Sequence, residues 1–294
     1  MSQHNSPSWS SSLLRRDLSA RANHLARTQN LLHDISPGSD PAIIFGRDEQ
    51  GRHGNFHPKS YLNICANPAW LDRLTKVHTA SRRSRARKDW QWMELDSSNS
   101  SDALLMNIFC HPKVFNGTTL TPAVANLLNV EPATQPCFGI NPRVPLKSVR
   151  KGRPGLPTNL TDCTEIDLQL GNLFVEAKLT ESNFQTAKPT LIERYRDLET
   201  VFDITRLSRN NTGAIQGYQL IRNVLAAFAS DASFCVLCDA RRHDLIEIWY
   251  SVLSAVHSRT FATHLKLLTW QELATVLPID LQQFLEAKYG ILPA

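Results

Sequence analysis

The sequence predicts an α/β fold in which a mixed central sheet is flanked by helices. A β-hairpin is predicted at residues 164–181 and a buried strand at residues 234–239, because both are runs of β-favouring apolar residues. Helical patterns precede the hairpin, separate it from the later strand and follow that strand. This order is typical of a sheet that is covered by helices on both faces.

The first part of the chain predicts an N-terminal helical extension. Residues 1–12 are polar and are expected to be disordered, whereas residues 13–33 predict a basic amphipathic helix. Residues 37–59 are rich in Gly, Pro, His and Asp and predict a loop. A short helix is predicted at residues 67–80.

The elements around the hairpin follow from capping and breaker residues. Serines in DSSNSSD are N-cap candidates for a helix at Asp102–Phe109, which stops before Pro112. A helix at Pro122–Leu128 is followed by a Pro-rich link to the hairpin. Beyond the hairpin we predict helices at residues 190–201, 212–229 and 244–258, a strand at residues 264–268, and one or two closing helices at residues 270–288.

The hairpin sorts its side chains by chemistry. Gly171 and Asn172 form the predicted two-residue turn. Because side chains alternate along a strand, one face is wholly apolar and is expected to face the core. The predicted register places Leu170 opposite Leu173, Leu168 opposite Val175, Asp167 opposite Glu176 and Glu165 opposite Lys178. The apolar face carries Ile166, Leu168, Leu170, Leu173, Val175, Ala177 and Leu179, and the polar face carries Glu165, Asp167, Gln169, Phe174, Glu176, Lys178 and Thr180.

Two acids on the polar face indicate a cation site. Directly opposed residues lie about 5 Å apart at Cβ, so the carboxylates of Asp167 and Glu176 repel each other. A divalent metal held by hard oxygen ligands relieves that repulsion. The competing interpretation is a solvated hairpin face, on which Glu165 and Lys178 form an ordinary surface ion pair.

These residues resemble the signature of the PD-(D/E)XK nuclease superfamily, which is also called restriction-endonuclease-like. Asp167 matches the acid of the first strand, and Glu176, Ala177 and Lys178 match the acid-x-Lys tripeptide of the next strand. Ile166 stands where a proline often precedes the first acid. The resemblance extends over roughly residues 90–290 and implies an αβββαβ core.

The resemblance implies a role for each matched residue. Asp167 and Glu176 would hold Mg²⁺ or Mn²⁺, with the carbonyl of Ala177 as a further ligand. Lys178 would orient the attacking water and stabilise the transition state. Glu165 would either tune Lys178 or act as a third acid near the metal.

Relatives of this superfamily also use residues from two helices. Asp102 is the candidate for an acid from the first core helix, and Glu94 is its rival; either could instead be a cap or a surface charge. Gln219 and Arg222 lie three residues apart and therefore share one helix face. A glutamine or a basic residue from that helix would reach the site.

Basic clusters favour a nucleic-acid partner. The net charge is +5, and cationic residues concentrate at residues 81–88 and 147–155. The alternative interpretation is that both clusters are solvated loops with no role in binding. Since the second cluster lies just upstream of the hairpin, its side chains are candidates for contacts with DNA phosphates. These candidates are Lys147, Arg150, Lys151 and Arg153, together with Arg222.

Composition excludes several other classes. The chain has 294 residues, of which 42% are hydrophobic and 20% charged, and it contains no apolar run of membrane-spanning length. Six dispersed cysteines form no disulfide framework, so a cytoplasmic location is expected. Cys235 and Cys238 are predicted to be buried strand thiols. The ten histidines show no ligand spacing, and no zinc site is predicted.

The sequence therefore predicts an extension at residues 1–89 and a PD-(D/E)XK nuclease-like domain at residues 90–294. The predicted activity is Mg²⁺-dependent hydrolysis of phosphodiester bonds, most plausibly in DNA. The alternative is a catalytically inactive nucleic-acid-binding or assembly protein that retains the nuclease fold. The intact set of Asp167, Glu176 and Lys178 favours the enzyme, and the sequence leaves a homodimer open.

Overall fold

A computed structural model describes residues 9–76, 92–147 and 160–294. Its strands are β1 His33–Ile35, β2 Ile43–Phe45, β3 Pro136–Ile140, β4 Arg143–Pro145, β5 Thr161–Cys163, β6 Ile166–Leu170, β7 Leu173–Ala177, β8 Thr186–Ala187, β9 Ile215–Gln216, β10 Ser233–Cys238 and β11 Leu265–Thr269. Its α-helices are α1 Ser11–Thr28, α2 Pro58–Ala66, α3 Pro68–Arg73, α4 Ser101–Phe109, α5 Pro122–Leu128, α6 Pro189–Ile192, α7 Leu198–Val201, α8 Tyr218–Ala229, α9 His243–Ser254, α10 Arg259–Ala262, α11 Trp270–Ala274 and α12 Ile279–Tyr289.

A five-stranded mixed sheet forms the centre of the molecule. Its strand order is β11-β10-β7-β6-β3. The strands β3, β6 and β7 pair antiparallel, whereas β10 runs parallel to both β7 and β11. Parallel neighbours need a crossover connection, which α8 provides between β7 and β10. The predicted α/β class with a mixed, helix-flanked sheet and an N-terminal helix is confirmed.

Helices cover the sheet on two sides and bury two apolar clusters. Leu168 and Val175 pack in a cluster with residues of α4, α11 and α12. Phe174 and Phe234 belong to a second cluster, with residues of α8 and α9. The central strand β10 is buried on both faces, as is typical of parallel strands. Cys235 and Cys238 of β10 are free buried thiols, as predicted, and burial raises the pKa of each to about 12.

The predicted hairpin register is confirmed at three pairs, but the face assigned to Ile166 is wrong and the polar face is not open. Leu168 pairs with Val175, Gln169 with Phe174 and Leu170 with Leu173. Ile166 packs in the second cluster rather than with Leu168. Phe174, which was expected on an open polar face, is buried beneath α8. The polar face of the hairpin is therefore covered by a helix, not solvated.

Other elements differ from the predictions where short-range signals were weak. The predicted Pro-rich link contains β3, in which Pro136 stands at the first position of an edge strand, where a missing N–H is tolerated. The predicted loop at residues 37–59 contains β2 and the start of α2. The predicted helix at residues 190–201 is two separate turns, α6 and α7. The predicted helix at residues 212–229 begins only at Tyr218.

The N-terminal helices pack on the main core. Leu14 and Leu18 of α1 are fully buried in the first cluster, which also includes Trp70 of α3. Ser11 and Ser12, expected to be disordered, are already helical. The predicted boundary between residues 89 and 90 lies outside the described residues. Among the described helices, none combines the length and the apolar character that crossing a membrane requires.

Candidate active site

The two hairpin strands part at their open end, beside Asp167. Their pairing stops at Leu168 and Val175, one pair before the predicted opposition of Asp167 and Glu176. In a continued ladder the N–H of Ala177 would bond to the carbonyl of Ile166. Instead it donates to the Asp167 carboxylate at 2.8 Å. The first acid is thus fixed by the backbone of the strand that carries the second.

Glu176 lies on the α8 side of the sheet and is almost fully buried. Its Oε1 accepts a hydrogen bond from Nε2 of Gln219, and its Oε2 accepts one from Nδ2 of Asn223, each at 2.7 Å. Nζ of Lys178 lies 2.7 Å from Oε1. Gln219 and Asn223 are four residues apart, so their side chains emerge from the same face of α8.

Asn223 was not among the predicted site residues. The spacing of four residues from Gln219 was a signal that could have identified it. Its position is fixed further by Thr164, whose hydroxyl donates to Oδ1 of Asn223 at 2.6 Å. The side-chain amide of Asn223 therefore connects Thr164, which precedes β6, with Glu176 on β7.

Lys178 is held at the end of β7 by backbone and aromatic contacts. Its N–H donates to the carbonyl of Leu237 at 2.8 Å, and its carbonyl accepts from the indole of Trp270 at 2.9 Å. Its ammonium group lies 5.5 Å from the centroid of the Phe184 ring. The predicted pair of Lys178 with Glu165 is wrong, because the strands diverge before that pair could form and Lys178 bonds to Glu176.

Glu165 belongs to a second group of charges, which includes two unpredicted cations. Arg73 Nη2 lies 2.8 Å from Oδ2 of Asp102 and 2.7 Å from Oε1 of Glu165. Lys76 Nζ lies 2.9 Å and 2.8 Å from the same two atoms. Glu94, the rival of Asp102, lies 3.2 Å from Lys76. The fold thus brings both candidate acids into one cluster, through residues that the sequence assigned to the extension.

Gly139 of β3 makes room for this cluster. It has φ +64°, and a Cβ atom there would overlap the guanidinium of Arg73. β3 pairs with β6 on either side of Gly139. Two features therefore favour glycine at this position. The backbone is left-handed, and the guanidinium of Arg73 occupies the space that a Cβ atom would need.

Burial raises the pKa of both Asp167 and Glu176, and the charges of neighbouring carboxylates add to this rise. Desolvation, followed by the charges of Glu176 and Asp102, holds the pKa of Asp167 well above its usual value. Desolvation also raises the pKa of Glu176, although Lys178 opposes it. Burial lowers the pKa of Lys178, but the surrounding carboxylates outweigh it, so that this pKa lies above its usual value. Lys178 is therefore a permanent cation among acids.

Asp167, Glu176 and Asp102 carry the hard oxygen donors that a divalent cation prefers, but among the described residues only one group of three, His57, His111 and Asp280, brings its ligand atoms within 4.8 Å of one another. The existing bonds of the acids restrict how a cation would bind. Asp167 uses one oxygen for the Ala177 N–H, which leaves its other oxygen for a metal. Oε1 of Glu176 already has two partners, so Oε2 is the better metal ligand. The charges of Glu176 and Asp102 both raise the pKa of Asp167, after burial, and these three acids are the candidate ligands that the sequence predicted.

A further layer fixes the segment that follows Lys178. The buried side chain of Arg242 donates to the carbonyls of Leu179 and Glu181, at 3.3 and 2.8 Å. The Glu181 carboxylate accepts from the N–H of Leu179 and from the hydroxyl of Ser101, both at 2.7 Å. This segment is therefore bonded to α4, the helix that carries Asp102.

The predicted DNA-contacting residues are placed only in part. Lys147 lies 3.0 Å from Glu199 on the surface. Arg222 lies over the ring of Tyr218, at 5.3 Å from its centroid, while Gln219 of the same helix reaches Glu176. Arg150, Lys151 and Arg153 lie outside the described residues, as does the cluster at residues 81–88.

The fold also assembles a histidine cluster that sequence spacing did not predict. Candidate ligand atoms of His57, His111 and Asp280 lie within 4.8 Å of one another. However, Nδ1 of each histidine accepts a backbone N–H, from Lys59 at 3.3 Å and from Lys113 at 3.2 Å. The proton of each neutral ring then lies on Nε2, which makes that atom a donor rather than a metal ligand.

Replacing Gly139 should destabilise the protein more than its backbone conformation alone explains. Gly139→Ala is expected to lower the free energy of unfolding by more than about 1 kcal/mol, because the methyl group displaces Arg73. Gly213→Ala is the matched control, since Gly213 has a similar φ of +77° but open space around its Cβ position. The free energies of unfolding are measured in urea. If both variants lose the same amount, the contact of the new methyl group with Arg73 does not destabilise the protein.

Ionisation of Asp167 should cost stability as the pH rises. Its pKa is raised in the folded state, so the stability associated with its protonated form is present below the unfolded pKa and is lost as the pH rises through the folded pKa. Asp167→Asn should therefore become increasingly more stable than the unaltered protein as the pH rises from acid to neutral. Urea unfolding at a series of pH values measures this difference.

Asp280→Asn provides a control of opposite sign. The hydrogen bond with Lys59 is the main cause that lowers the pKa of Asp280, to about 2. The ionised Asp280 therefore stabilises the fold above the unfolded pKa, and this stabilisation is lost as the pH falls through the folded pKa. This variant should be less stable than the unaltered protein at neutral pH. An Asp167→Asn variant that follows the same direction would show that Asp167 is a structural anion.

Comparison with known proteins supports the fold and the superfamily. No curated protein and no solved structure matches the chain. A family model described as "Restriction Endonuclease associating with ARP" matches residues 29–290. The match spans both the predicted extension from residue 29 onward and the sheet. The chain belongs to this family, which is consistent with the restriction-endonuclease-like superfamily.

Proposed function

We propose that the protein is a metal-dependent nuclease that hydrolyses phosphodiester bonds in DNA. The observation that carries this proposal is the group of Asp167, Glu176 and Lys178, in which two desolvated acids flank a lysine cation at the end of one hairpin. A purely structural site would gain nothing from acids that repel each other, because apolar residues would cost less to bury. The family match supports a nuclease fold.

Asp167, Glu176 and Asp102 would hold a divalent cation such as Mg²⁺ or Mn²⁺. When bound, the cation would neutralise charge on the phosphodiester and lower the pKa of a nearby water. Asp167 is positioned for this role by the Ala177 N–H, and Glu176 by the amides of Gln219 and Asn223. These bonds fix the acids before any ligand arrives, which reduces the reorganisation that binding requires.

Lys178 would act on the attacking water and on the charge that develops at phosphorus. It remains protonated because Glu176, Glu181 and Asp167 surround it, so it serves as a cation and not as a general base. Backbone bonds to Leu237 and Trp270 fix its position along the strand. Stabilisation of developing charge by a fixed cation is worth several kcal/mol in a water-poor site.

A cavity lies beside the segment that follows Lys178, although Asp102, Asp167, Glu176 and Lys178 do not line it. The cavity has a volume of about 450 Å³ and is lined by residues that include Arg15, Glu94, Ser101, Thr180 and Glu181. Glu181 is one of the charges that act on Lys178. DNA is the proposed substrate because the chain is basic overall and its cationic residues are clustered.

Cleavage assays with matched variants test the proposal. Plasmid, linear and single-stranded DNA are incubated with the protein and Mg²⁺ or Mn²⁺. Asp167→Asn and Lys178→Ala should each lower the cleavage rate by about a hundredfold or more, since they remove a metal ligand and a transition-state contact. Lys266→Ala is the matched control, because this partly buried lysine bonds only to a carbonyl, that of Leu128 at 2.9 Å.

The outcome that contradicts the proposal is equally specific. Cleavage that persists unchanged in Lys178→Ala would come from a contaminant or from another site. Absence of cleavage of all three DNA forms by the unaltered, folded protein in both metals would contradict a DNA nuclease.

A further inference from the structure

Arg73 and Lys76 form a cation pair that the nuclease hypothesis leaves without a role. Each lies within 3 Å of both Asp102 and Glu165, so the four side chains form one alternating cluster. Arg73 and Lys76 are partly buried, and Glu165 is the most exposed member at 35%. The cluster therefore lies between the buried acids and solvent.

The guanidinium of Arg73 retains unused hydrogen-bonding capacity. Only Nη2 is engaged with the two carboxylates. Nε is buried and has no hydrogen-bond partner among the described residues. A guanidinium presents donors in a fixed fork that matches phosphate oxygens, and a buried donor without a partner is costly.

The pair is close to the candidate metal ligands. Glu165, which lies 2.7 Å from Arg73 and 2.8 Å from Lys76, stands two residues before Asp167 in the chain. Asp102 is shared, since it bonds to both cations and also raises the pKa of Asp167. Arg73 and Lys76 thus lie beside the place where the scissile group would react.

A phosphodiester that enters this site meets several carboxylates. Its negative charge is repelled unless cations stand beside it, and a divalent metal neutralises only part of the acid charge. Lys178 is buried and already bonded to Glu176. Arg73 and Lys76 are the cations nearer to solvent, next to the half-exposed Glu165.

We propose that Arg73 and Lys76 bind the nonbridging oxygens of the substrate's phosphodiester, and that Asp102 and Glu165 hold them in place before the substrate arrives. This inference rests on the proposed nuclease function and names the residues that recognise its substrate. Cations that are already ordered lose little rotamer entropy on binding, which favours affinity. The competing account is an ion-pair network that only stabilises the fold.

Equilibrium binding distinguishes these accounts without any measurement of turnover. The probes are fluorescein-labelled duplex and single-stranded DNA, followed by fluorescence anisotropy with Ca²⁺ in place of Mg²⁺ over a series of salt concentrations. Arg73→Gln and Lys76→Gln should each weaken binding on the order of tenfold. Each should also reduce the slope of log Kd against log salt by about 0.9 for duplex or about 0.7 for single strands.

The matched control is Arg241→Gln. Arg241 is also a partly buried arginine, and it pairs with Asp239 at 2.7 Å. Its side chain also lies 3.7 Å from Asp17 and donates to the carbonyl of Tyr289, and neither residue belongs to the candidate site. This variant should lose stability but keep the unaltered salt slope. Slopes for Arg73→Gln and Lys76→Gln that equal the slope of this control would overturn the proposal.

Glu165→Gln tests the proposal in the opposite direction and is less prone to unfolding, since Glu165 is partly exposed. The glutamine keeps an amide oxygen that accepts from Arg73 and Lys76, so both cations stay ordered, but it removes a negative charge that repels the phosphodiester; binding should therefore tighten by several-fold. Asp48→Asn, which removes an acid paired with Arg52 elsewhere, controls for the change in net charge. Equal effects of the two changes would count against the cation pair.

Failure of the proposed function has a different signature. In that case the unaltered protein would cleave neither form of DNA in Mg²⁺ or Mn²⁺, and if it also bound neither form, the inference would fall with the function. DNA binding and cleavage by the unaltered protein, with unchanged slopes in Arg73→Gln and Lys76→Gln, would overturn the inference alone.

Discussion

The repulsion between buried carboxylates is the constraint on which the site depends. Asp167 and Glu176 occupy adjacent strands of a sheet that is covered on both sides; Asp167 is partly buried and Glu176 almost fully buried, so water screens their charges poorly. The sheet tolerates them because each acid has its own set of donors: a backbone N–H for Asp167, and two amides and a lysine for Glu176. The hairpin must part at this point, since a continued ladder would occupy the donor that Asp167 uses.

The surrounding elements hold Asp167, Glu176 and their neighbours in fixed positions. α8 covers the hairpin face that carries Glu176 and supplies Gln219 and Asn223. α4 supplies Asp102 and is tied to the segment after Lys178 through Ser101 and Glu181. The N-terminal part of the chain completes the site with Arg73 and Lys76, and Gly139 gives Arg73 the space to reach it. The helices at the N-terminus are thus part of the site's construction.

Much of this architecture could be predicted from local pattern. The hairpin register followed from the Gly171–Asn172 turn and strict alternation, and the bounds of α5 and β10 followed from proline and apolar runs. Contacts between distant segments could not be predicted. Nothing in the sequence near residue 73 relates it to residue 165, and the alternation rule placed Ile166 on the wrong face because the strands diverge there. The sequence clusters at residues 81–88 and 148–155 remain predictions.

The central claim is that Asp167 and Glu176 are a cation-binding pair, and thermal unfolding with increasing Mn²⁺ tests it most directly. A ligand that binds only the folded state at a hundred times its Kd adds about 2.7 kcal/mol of stability. We predict that Mn²⁺ raises the Tm of the unaltered protein and of Asp280→Asn, in which the histidine cluster is altered. Asp167→Asn and Glu176→Gln should fold but show no such rise. An equal rise in all four proteins, or its loss only in Asp280→Asn, would contradict the account.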